Sequence, residues 1–190
     1  MERTLTIING CREKQHKYQK ILYENYRAFA LKTVFRYIYN YEEAIEVTND
    51  GFVKFFLSID KFRCENEGDI EKLLTGWIKR IMVNTSIDLL RKKMLLPEIG
   101  GIPEYVWDVT DKNTSADQMT IYKDLIKLVK KLPPSYRIVF NMHVIDGYTH
   151  IEIAEILKIP IGTSKSSLLR ARALMQKYLN QKEELTECSI

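Results

Sequence analysis

Residues 148–175 read YTHIEIAEILKIPIGTSKSSLLRARALM, and the spacings within them describe two short helices joined by a tight turn. Thr149 and Glu152 form a T-x-x-E capping box, in which each side chain satisfies a backbone N–H that the start of a helix leaves open. Tyr148 before the cap and Ile153 after it are placed to pack as a hydrophobic staple. The first helix is therefore predicted to begin at His150. Ile151, Ala154 and Leu157, with Ile153 and Ile156 beside them, supply its apolar stripe. Pro160 disfavours helical backbone at Ile159, so this helix ends near Lys158. Gly162 and Thr163 offer a second start, after which Leu168, Ala171, Met175 and Leu179 fall at i, i+3, i+7 and i+11 on one face expected to be buried. With small Ala154 near the crossing, the motif is a helix-turn-helix.

Lys165, Ser166 and Leu169 remain on the outside of the second helix near its start, followed by Arg170, Arg172 and Lys177, and no acidic residue lies between Thr163 and Gln181. In a helix-turn-helix the second helix enters the DNA major groove, its N-terminal residues facing base edges while lysines and arginines neutralise phosphates. The competing reading is a solvated basic face on a three-helix bundle.

A chain of 190 residues accommodates one large domain or two small ones, and the composition shifts along it favour two. Hydrophobic content of 45% with 28% charged residues is that of an ordinary globular protein. No apolar run approaches the length that spans a bilayer, and the N-terminus lacks the apolar core of a signal peptide. The expectation is a cytoplasmic protein without membrane insertion. Cys11, Cys64 and Cys188 form no C-x-x-C pair and read as free thiols. The net charge of +4 is modest because acidic segments offset the basic ones.

From Gln15 to Tyr39 neither glycine nor proline interrupts apolar positions at helical spacing, which predicts one or two helices. Tyr18, Leu22, Tyr26 and Phe29 share a face that reads as core rather than as a ligand box. The next stretch, ending at Phe62, is an amphipathic helix. Glu42, Glu43, Glu46 and Asp50 line its wet side, and Ala44, Val47, Phe52, Val53, Phe55 and Phe56 its apolar one, with Gly51 a poor helix former in the middle. Paired carboxylates also suit metal or acid–base chemistry, but the histidines or further acids that such a site needs are not nearby.

Arg63–Thr75 reads as a loop with at most one helical turn, and Gly76–Lys93 as a helix with Ile78, Ile81, Met82, Thr85 and Leu89 on its apolar face. Arg80, Asn84, Asp88 and Arg91 align on its polar face. Trp77 heads this helix, and Arg91, Lys92 and Lys93 end it. That pairing suits nucleic acid, since bases stack on aromatics and phosphates pair with cations. It equally suits a buried tryptophan with basic residues complementing the helix dipole.

Leu96 to Gln118, with Pro97, Gly100, Gly101 and Pro103 and an excess of acids, reads as a flexible acidic linker. From Met119 a helix with Ile121, Leu125, Leu128 and Leu132 is expected, then the Pro133-Pro134 break and Ser135 as a cap for a helix that Asp146-Gly147 closes. His143 and His150 lack a third ligand at metal-binding spacing and read as structural histidines. The polar tail after Tyr178 is expected to fray.

Four segments in this order carry a resemblance: EVTNDGFVKFF (46–56), WIKRIMVNTSIDLLRKK (77–93), LPPSYRIVF (132–140) and EIAEILKIPIGTSKSSLLRAR (152–172). The chain resembles the extracytoplasmic-function (ECF) subgroup of the sigma-70 family of RNA polymerase sigma factors. The resemblance implies a sigma factor that binds core RNA polymerase and directs promoter recognition and DNA melting, with no catalytic site or cofactor of its own. It implies polymerase docking through Glu46, Asn49 and Asp50. For the minus-10 element it implies a pocket at Phe62 and Asn84 for a base flipped from the non-template strand, with Trp77, Arg80, Arg91 and Lys92 serving that strand. For the minus-35 major groove it implies Lys165, Ser166 and Leu169, with Arg170 near phosphate. Asn49 stands where the family commonly has glutamine, Gly51 where a larger residue is common, and Ser164 where valine is common.

The expectation is an all-α chain of two small helical domains. Residues 1–95 form a region 2-like domain, 96–118 the linker, 119–182 a region 4-like helix-turn-helix domain and 183–190 a tail. Partners are core RNA polymerase and promoter DNA, duplex and melted, with an anti-sigma protein as a further candidate. The alternatives are a free-standing helix-turn-helix regulator and a resolvase or transposase using Glu42, Glu46 and Asp50.

Overall fold

The computed structural model describes the backbone of residues 2–93 and 124–187, and the side chains of 4–66, 68–93 and 124–180. Among the described residues the regular structure is helical, without strands. The chain divides into two compact units, Met1–Asp111 and Lys112–Ile190. The expected linker at 96–118, the boundaries at 95 and 119, and the start of the helix expected from Met119 lie outside the described residues.

Among the described residues the first unit packs four α-helices. Helix α1 (Glu2–Arg12) precedes the region where periodicity first suggested helix, and buries Ile7, Ile8 and Cys11. Gly10 lies so close to the ring of Tyr18 that a Cβ there would overlap it, and Lys14 takes a left-handed φ of 57° where the chain turns. Helix α2 (His16–Phe35) buries Leu22, Ala30, Leu31 and Val34, while Tyr18, Tyr26 and Phe29 are half-buried against it, in keeping with a core face. Burial, followed by the hydrogen bond to Glu71, raises the pKa of the Tyr26 phenol.

Asn40 caps helix α3 (Tyr41–Ser58), its side-chain oxygen accepting from the Glu43 N–H at 3.0 Å. Ala44, Val47, Phe52 and Phe55 are buried as expected, but Val53 is exposed because it falls on the acidic side of the helix. Helix α4 (Ile70–Lys92) begins at Ile70 rather than Gly76. Its first turns bury Ile70, Leu74 and Ile78 at i, i+4 and i+8, a stripe diluted in the sequence by the polar residues between them. Ile78, Met82 and Thr85 form the expected buried face, widened by Val83, Ile87 and Leu90, whereas Ile81 and Leu89 are half-buried.

In the second unit residues 124–130 are helical, with Ile126, Leu128 and Val129 buried and Leu125 half-buried. Pro133 occupies the N-cap position of helix α5 (Pro134–Phe140), so the helix starts one residue before the expected Ser135 cap, with Pro134 in its first turn where no N–H is needed. A π-helical turn, Asn141–Ile145, continues it to Asp146, and Gly147 at φ 78° turns the chain.

Helix α6 (His150–Leu157) opens on the complete capping box: the Glu152 N–H donates to Thr149 Oγ1 at 3.2 Å, and the Thr149 N–H to Glu152 Oε2 at 2.9 Å. Tyr148 and Ile153 are both buried, as a staple requires. The buried face of α6 is Ile153 and Ala154. Ile156 and Leu157 are half-buried, so of the expected stripe Ile151 alone turns outward, 60% exposed in the first turn. Lys158 ends the helix in the left-handed region at φ 55°.

Helix α7 (Ile161–Glu187) follows Pro160 directly, whose carbonyl accepts from the Thr163 and Ser164 N–H groups. Leu168, Ala171 and Met175 are buried, but Leu179 is 40% exposed. The tail expected to fray is helical through Glu187, and residues 188–190 lie outside the described residues.

Candidate nucleic-acid interface

In the first unit, Glu42, Glu46, Asn49 and Asp50 project from α3 into solvent. Glu43 differs from them: it is half-buried and ion-paired with Lys93 at the end of α4. The Tyr23 hydroxyl donates to Asn49 Oδ1 at 3.0 Å, which fixes that amide's orientation. Lys54 crosses from α3 to α4, reaching Thr85 Oγ1 at 3.2 Å and Asp88 at 3.5 Å. Among the described residues no cluster of three or more histidines, cysteines or acids could hold a metal ion.

Trp77, Arg80, Asn84 and Arg91 recur at i, i+3, i+7 and i+14, and so share one side of α4. Arg80, Arg91 and Lys92 are exposed. Arg91 pairs with Asp88 at 3.3 Å, so part of its charge is compensated within the helix. Asn84 is half-buried, and its side-chain oxygen, shielded from water, has no hydrogen-bond partner among the described residues. An amide acceptor left so costs stability unless a donor arrives, which makes it a marked point on this face.

Phe62 is 6% exposed and stacks on Trp77 with ring centroids 5.4 Å apart and planes 19° from parallel. Phe55 backs Trp77 at 5.1 Å. The structure therefore brings Phe62 and Trp77 into one aromatic wall, with a face of each ring already occupied. Two guanidiniums hold the Phe62 carbonyl: Arg12 Nη2 donates at 2.7 Å and Arg63 Nη1 at 3.0 Å. Arg12 was missed at the sequence level because α1 was missed. Ile7, Ile8 and Cys11 at helical spacing are the signal that was available.

In the second unit Lys165, Ser166, Leu169 and Arg170 are all exposed along the first turns of α7, Leu169 by 71%, with Arg172 and Lys177 exposed beyond them. Ser166 Oγ donates to the Thr163 carbonyl at 3.1 Å, and Arg170 Nη1 to the Tyr136 hydroxyl at 3.2 Å. Ser164 and Ser167 point inward and are buried. The buried Ser164 hydroxyl meets His150 Nδ1 at 2.9 Å, and the His150 ring stacks on His143 with centroids 4.4 Å apart. An exposed basic helix, anchored from below by a second helix that ends in a tight turn, is the arrangement that enters a major groove.

Two family descriptions match the chain, Sigma-70 region 2 over residues 22–95 and Sigma-70, region 4 over residues 122–175. The ECF RNA polymerase sigma factor SigW of Bacillus subtilis is 32% identical over 155 residues, covering 76% of this chain and 80% of that protein. The ECF RNA polymerase sigma factor SigE of Mycolicibacterium smegmatis is 26% identical over 144 residues, covering 74% of this chain and 53% of that longer protein. A solved structure of CnrH in complex with the cytosolic domain of CnrY aligns with a TM-score of 0.48 at 18% identity, covering 93% of this chain and 96% of that one. The chain belongs to the sigma-70 family, in its extracytoplasmic-function group, and serves as a sigma factor that directs transcription initiation.

Proposed function

We propose that the two units divide promoter recognition between them, the first docking on core polymerase and holding melted strand, the second reading duplex. Polymerase docking falls to Glu46, Asn49 and Asp50 on α3, whose exposure and single-signed charge support a surface for a basic partner. The minus-10 surface is Phe62, Trp77, Arg80, Asn84, Arg91 and Lys92. The observation that carries this assignment is the Asn84 amide, whose shielded oxygen lacks a donor among the described residues and lies on the same side of α4 as a tryptophan and two arginines. A base extruded from the melted strand supplies a donor from its Watson–Crick edge once the Asn84 side chain turns outward to meet it. The unstacking cost of a few kcal/mol is offset by aromatic and cationic contacts. Lys165, Ser166 and Leu169 face the minus-35 base edges, with Arg170 on phosphate. Neither surface calls for metal or cofactor chemistry, in keeping with an initiation factor that leaves phosphodiester synthesis to the polymerase.

The reading places the chain in the cytoplasm with core polymerase, and no helix among the described residues is long and apolar enough to cross a membrane. An anti-sigma protein is the further partner implied by membership of this group. The test is run-off transcription with bacterial core polymerase, with and without the chain, on a pool of promoters from its source genome. Transcripts that appear only with the chain, and disappear in the Asn84→Ala and Lys165→Ala variants, support the assignment. A chain that binds specific duplex sites alone, while polymerase neither binds nor responds, overturns it in favour of a free-standing regulator.

A further inference from the structure

The sequence places histidines at 143 and 150 and a serine at 164; the left-handed residues Gly147 and Lys158 break the chain between them, yet the fold joins them in one line. His143 comes from the π-helical turn, His150 is the first residue of α6, and Ser164 lies in the first turn of α7. The two imidazoles stack with their planes 13° apart. His143 Nδ1 meets the Tyr148 carbonyl at 2.8 Å, and a carbonyl only accepts, so His143 carries its proton on Nδ1. His150 Nδ1 meets Ser164 Oγ at 2.9 Å.

Ser164 is fully buried, and among the described residues its hydroxyl has His150 Nδ1 as its side-chain partner. A buried hydroxyl needs an acceptor for its hydrogen. With His150 neutral and its proton on Nε2, the unprotonated Nδ1 is that acceptor. Protonating Nδ1 reverses the bond: the serine oxygen then accepts from Nδ1–H, and the serine's own hydrogen, which has no other partner among the described residues, is left in a buried site without an acceptor.

We infer that His150 is a positioning residue for minus-35 reading: in its neutral form it fixes the first turn of α7 through Ser164, and protonation, which leaves the buried Ser164 hydrogen without an acceptor, loosens that turn. The inference rests on α7 being the helix that reads the minus-35 element. Ser164 immediately precedes Lys165 and Ser166, so the bond that fixes Ser164 sets where those two side chains begin.

The surroundings of His150 agree with a neutral ring. Desolvation first, then the neighbouring His143 from the π-helical turn and Lys165 and Arg172 from α7, lower its pKa below the ordinary 6.5. On α6 itself the Glu152 carboxylate is engaged by the Thr149 N–H and hydroxyl, both at 2.9 Å. The folded chain thus binds this proton less readily than the unfolded one. The stabilisation from the neutral ring is present above 6.5 and is lost as pH falls through the lowered folded pKa. A histidine that merely sat beside DNA phosphate would act in the opposite sense, taking up a proton on binding and tightening the complex in acid.

The two signs separate in one experiment. Holoenzyme reconstituted from core polymerase and the full chain is titrated from pH 8 to pH 5.5 against a minus-35 duplex taken from a promoter mapped by run-off. The wild-type chain is expected to lose roughly fivefold or more in affinity on acidification, the effect of unpairing one buried polar group. His150→Ala and Ser164→Ala are expected to bind more weakly at pH 8 and to flatten the profile. His150→Asn, which offers an amide oxygen near the Nδ1 position and does not titrate, is expected to recover the pH 8 affinity and keep it in acid. The polymerase contribution cancels between variants. Affinity that rises in acid, or a His150→Asn profile as steep as the wild type, overturns the inference. Duplex binding at pH 8 indifferent to Lys165→Ala overturns instead the assignment of α7, and the inference with it.

Discussion

Gly51 in α3 faces the end of the Met82 side chain in α4 so closely that a Cβ at position 51 would stand 2.8 Å from the methionine Cε and closer still to its sulfur. Both residues are buried, Met82 completely. The glycine that looks like a weakness in an amphipathic helix is the notch into which the facing helix packs. Alanine at 51 gains about 1 kcal/mol of helix propensity and loses about 1–3 kcal/mol to overpacking. Gly51→Ala is therefore expected to be neutral to mildly destabilising, whereas Gly51→Val, branched at the crowded atom, destabilises the first unit outright. Met82→Ala alone is expected to cost about 2–5 kcal/mol. Combined with Gly51→Ala it costs less than the sum, because the new methyl enters the space the thioether left. Urea denaturation of the four chains measures this, and strict additivity contradicts the contact.

The two described cysteines are expected to differ in reactivity. Cys11 lies on the inner face of α1, and burial pushes its thiol up to about 11. Cys64 is half-exposed, its sulfur 3.0 Å from the Asn66 carbonyl. The thiolate is the reacting form, so iodoacetamide at pH 8 should label Cys64 in the folded chain and reach Cys11 only under denaturing conditions. Peptide mapping separates these sites from Cys188. Equal labelling of Cys11 and Cys64 without denaturant would mean that α1 detaches readily from the unit.

Thr149 initiates α6 through both arms of the capping box. Thr149→Ala is expected to cost about 1 kcal/mol, and Thr149→Ser, which keeps the hydroxyl, a small fraction of that. The local readout is amide hydrogen exchange in the first turn of α6, which should accelerate in the alanine variant alone. Unchanged exchange would show that tertiary packing of Ile153 and Ala154, rather than the cap, holds the turn.

That contrast also explains what could be read before the structure. The helix-turn-helix was legible because its signals are local: a four-residue box, a proline and a one-signed helix. The acidic stripe of α3 and the polar face of α4 were legible for the same reason. Helix α1 and the early start of α4 were not, because Ile7, Ile8 and Cys11, and likewise Ile70 and Leu74, are sparse apolar positions among polar residues. Ile151, alone of its stripe, was misplaced because the packing partner, not the pattern, decides which apolar positions of a short helix are covered. The contacts that finish the sites are longer in range. Arg12 reaches Phe62 across 50 residues, and His150 reaches Ser164 from one helix to the next across the turn at Lys158, so neither contact is a property of one element's own pattern.

Because Arg12 braces the carbonyl of a residue that stacks on Trp77, its loss should appear in the aromatic wall. Arg12→Ala is expected to alter the Trp77 fluorescence maximum and to slow promoter opening, with recruitment to duplex little changed. Arg12→Lys, a single point charge in place of a planar fork, restores the effect only in part. The change in tryptophan emission is best followed in a Trp107→Phe background, which removes the second indole. Slowed opening with an unaltered Trp77 environment would detach Arg12 from this role.

Asn84 and Lys165 lie in different units and, on the proposed division of work, fail differently. Lys165→Ala removes the long side chain at the start of α7 and should weaken minus-35 duplex binding by about 1–3 kcal/mol if it reads a base. If it meets only phosphate, binding weakens uniformly across sequences and the salt dependence flattens by about one unit of slope. In either case binding of the chain to core polymerase is unaffected. Asn84→Ala removes an amide left short of a donor among the described residues, so its stability cost should be small while its functional cost is large. Holoenzyme carrying it should still occupy the closed promoter but yield fewer permanganate-reactive thymines in the minus-10 region. Supplying a pre-melted template removes the cost of separating the strands but not the need to hold the base, so it should restore only part of the yield. Full restoration would reassign Asn84 to strand separation, and an unchanged open-complex yield on the intact promoter would remove it from the minus-10 surface.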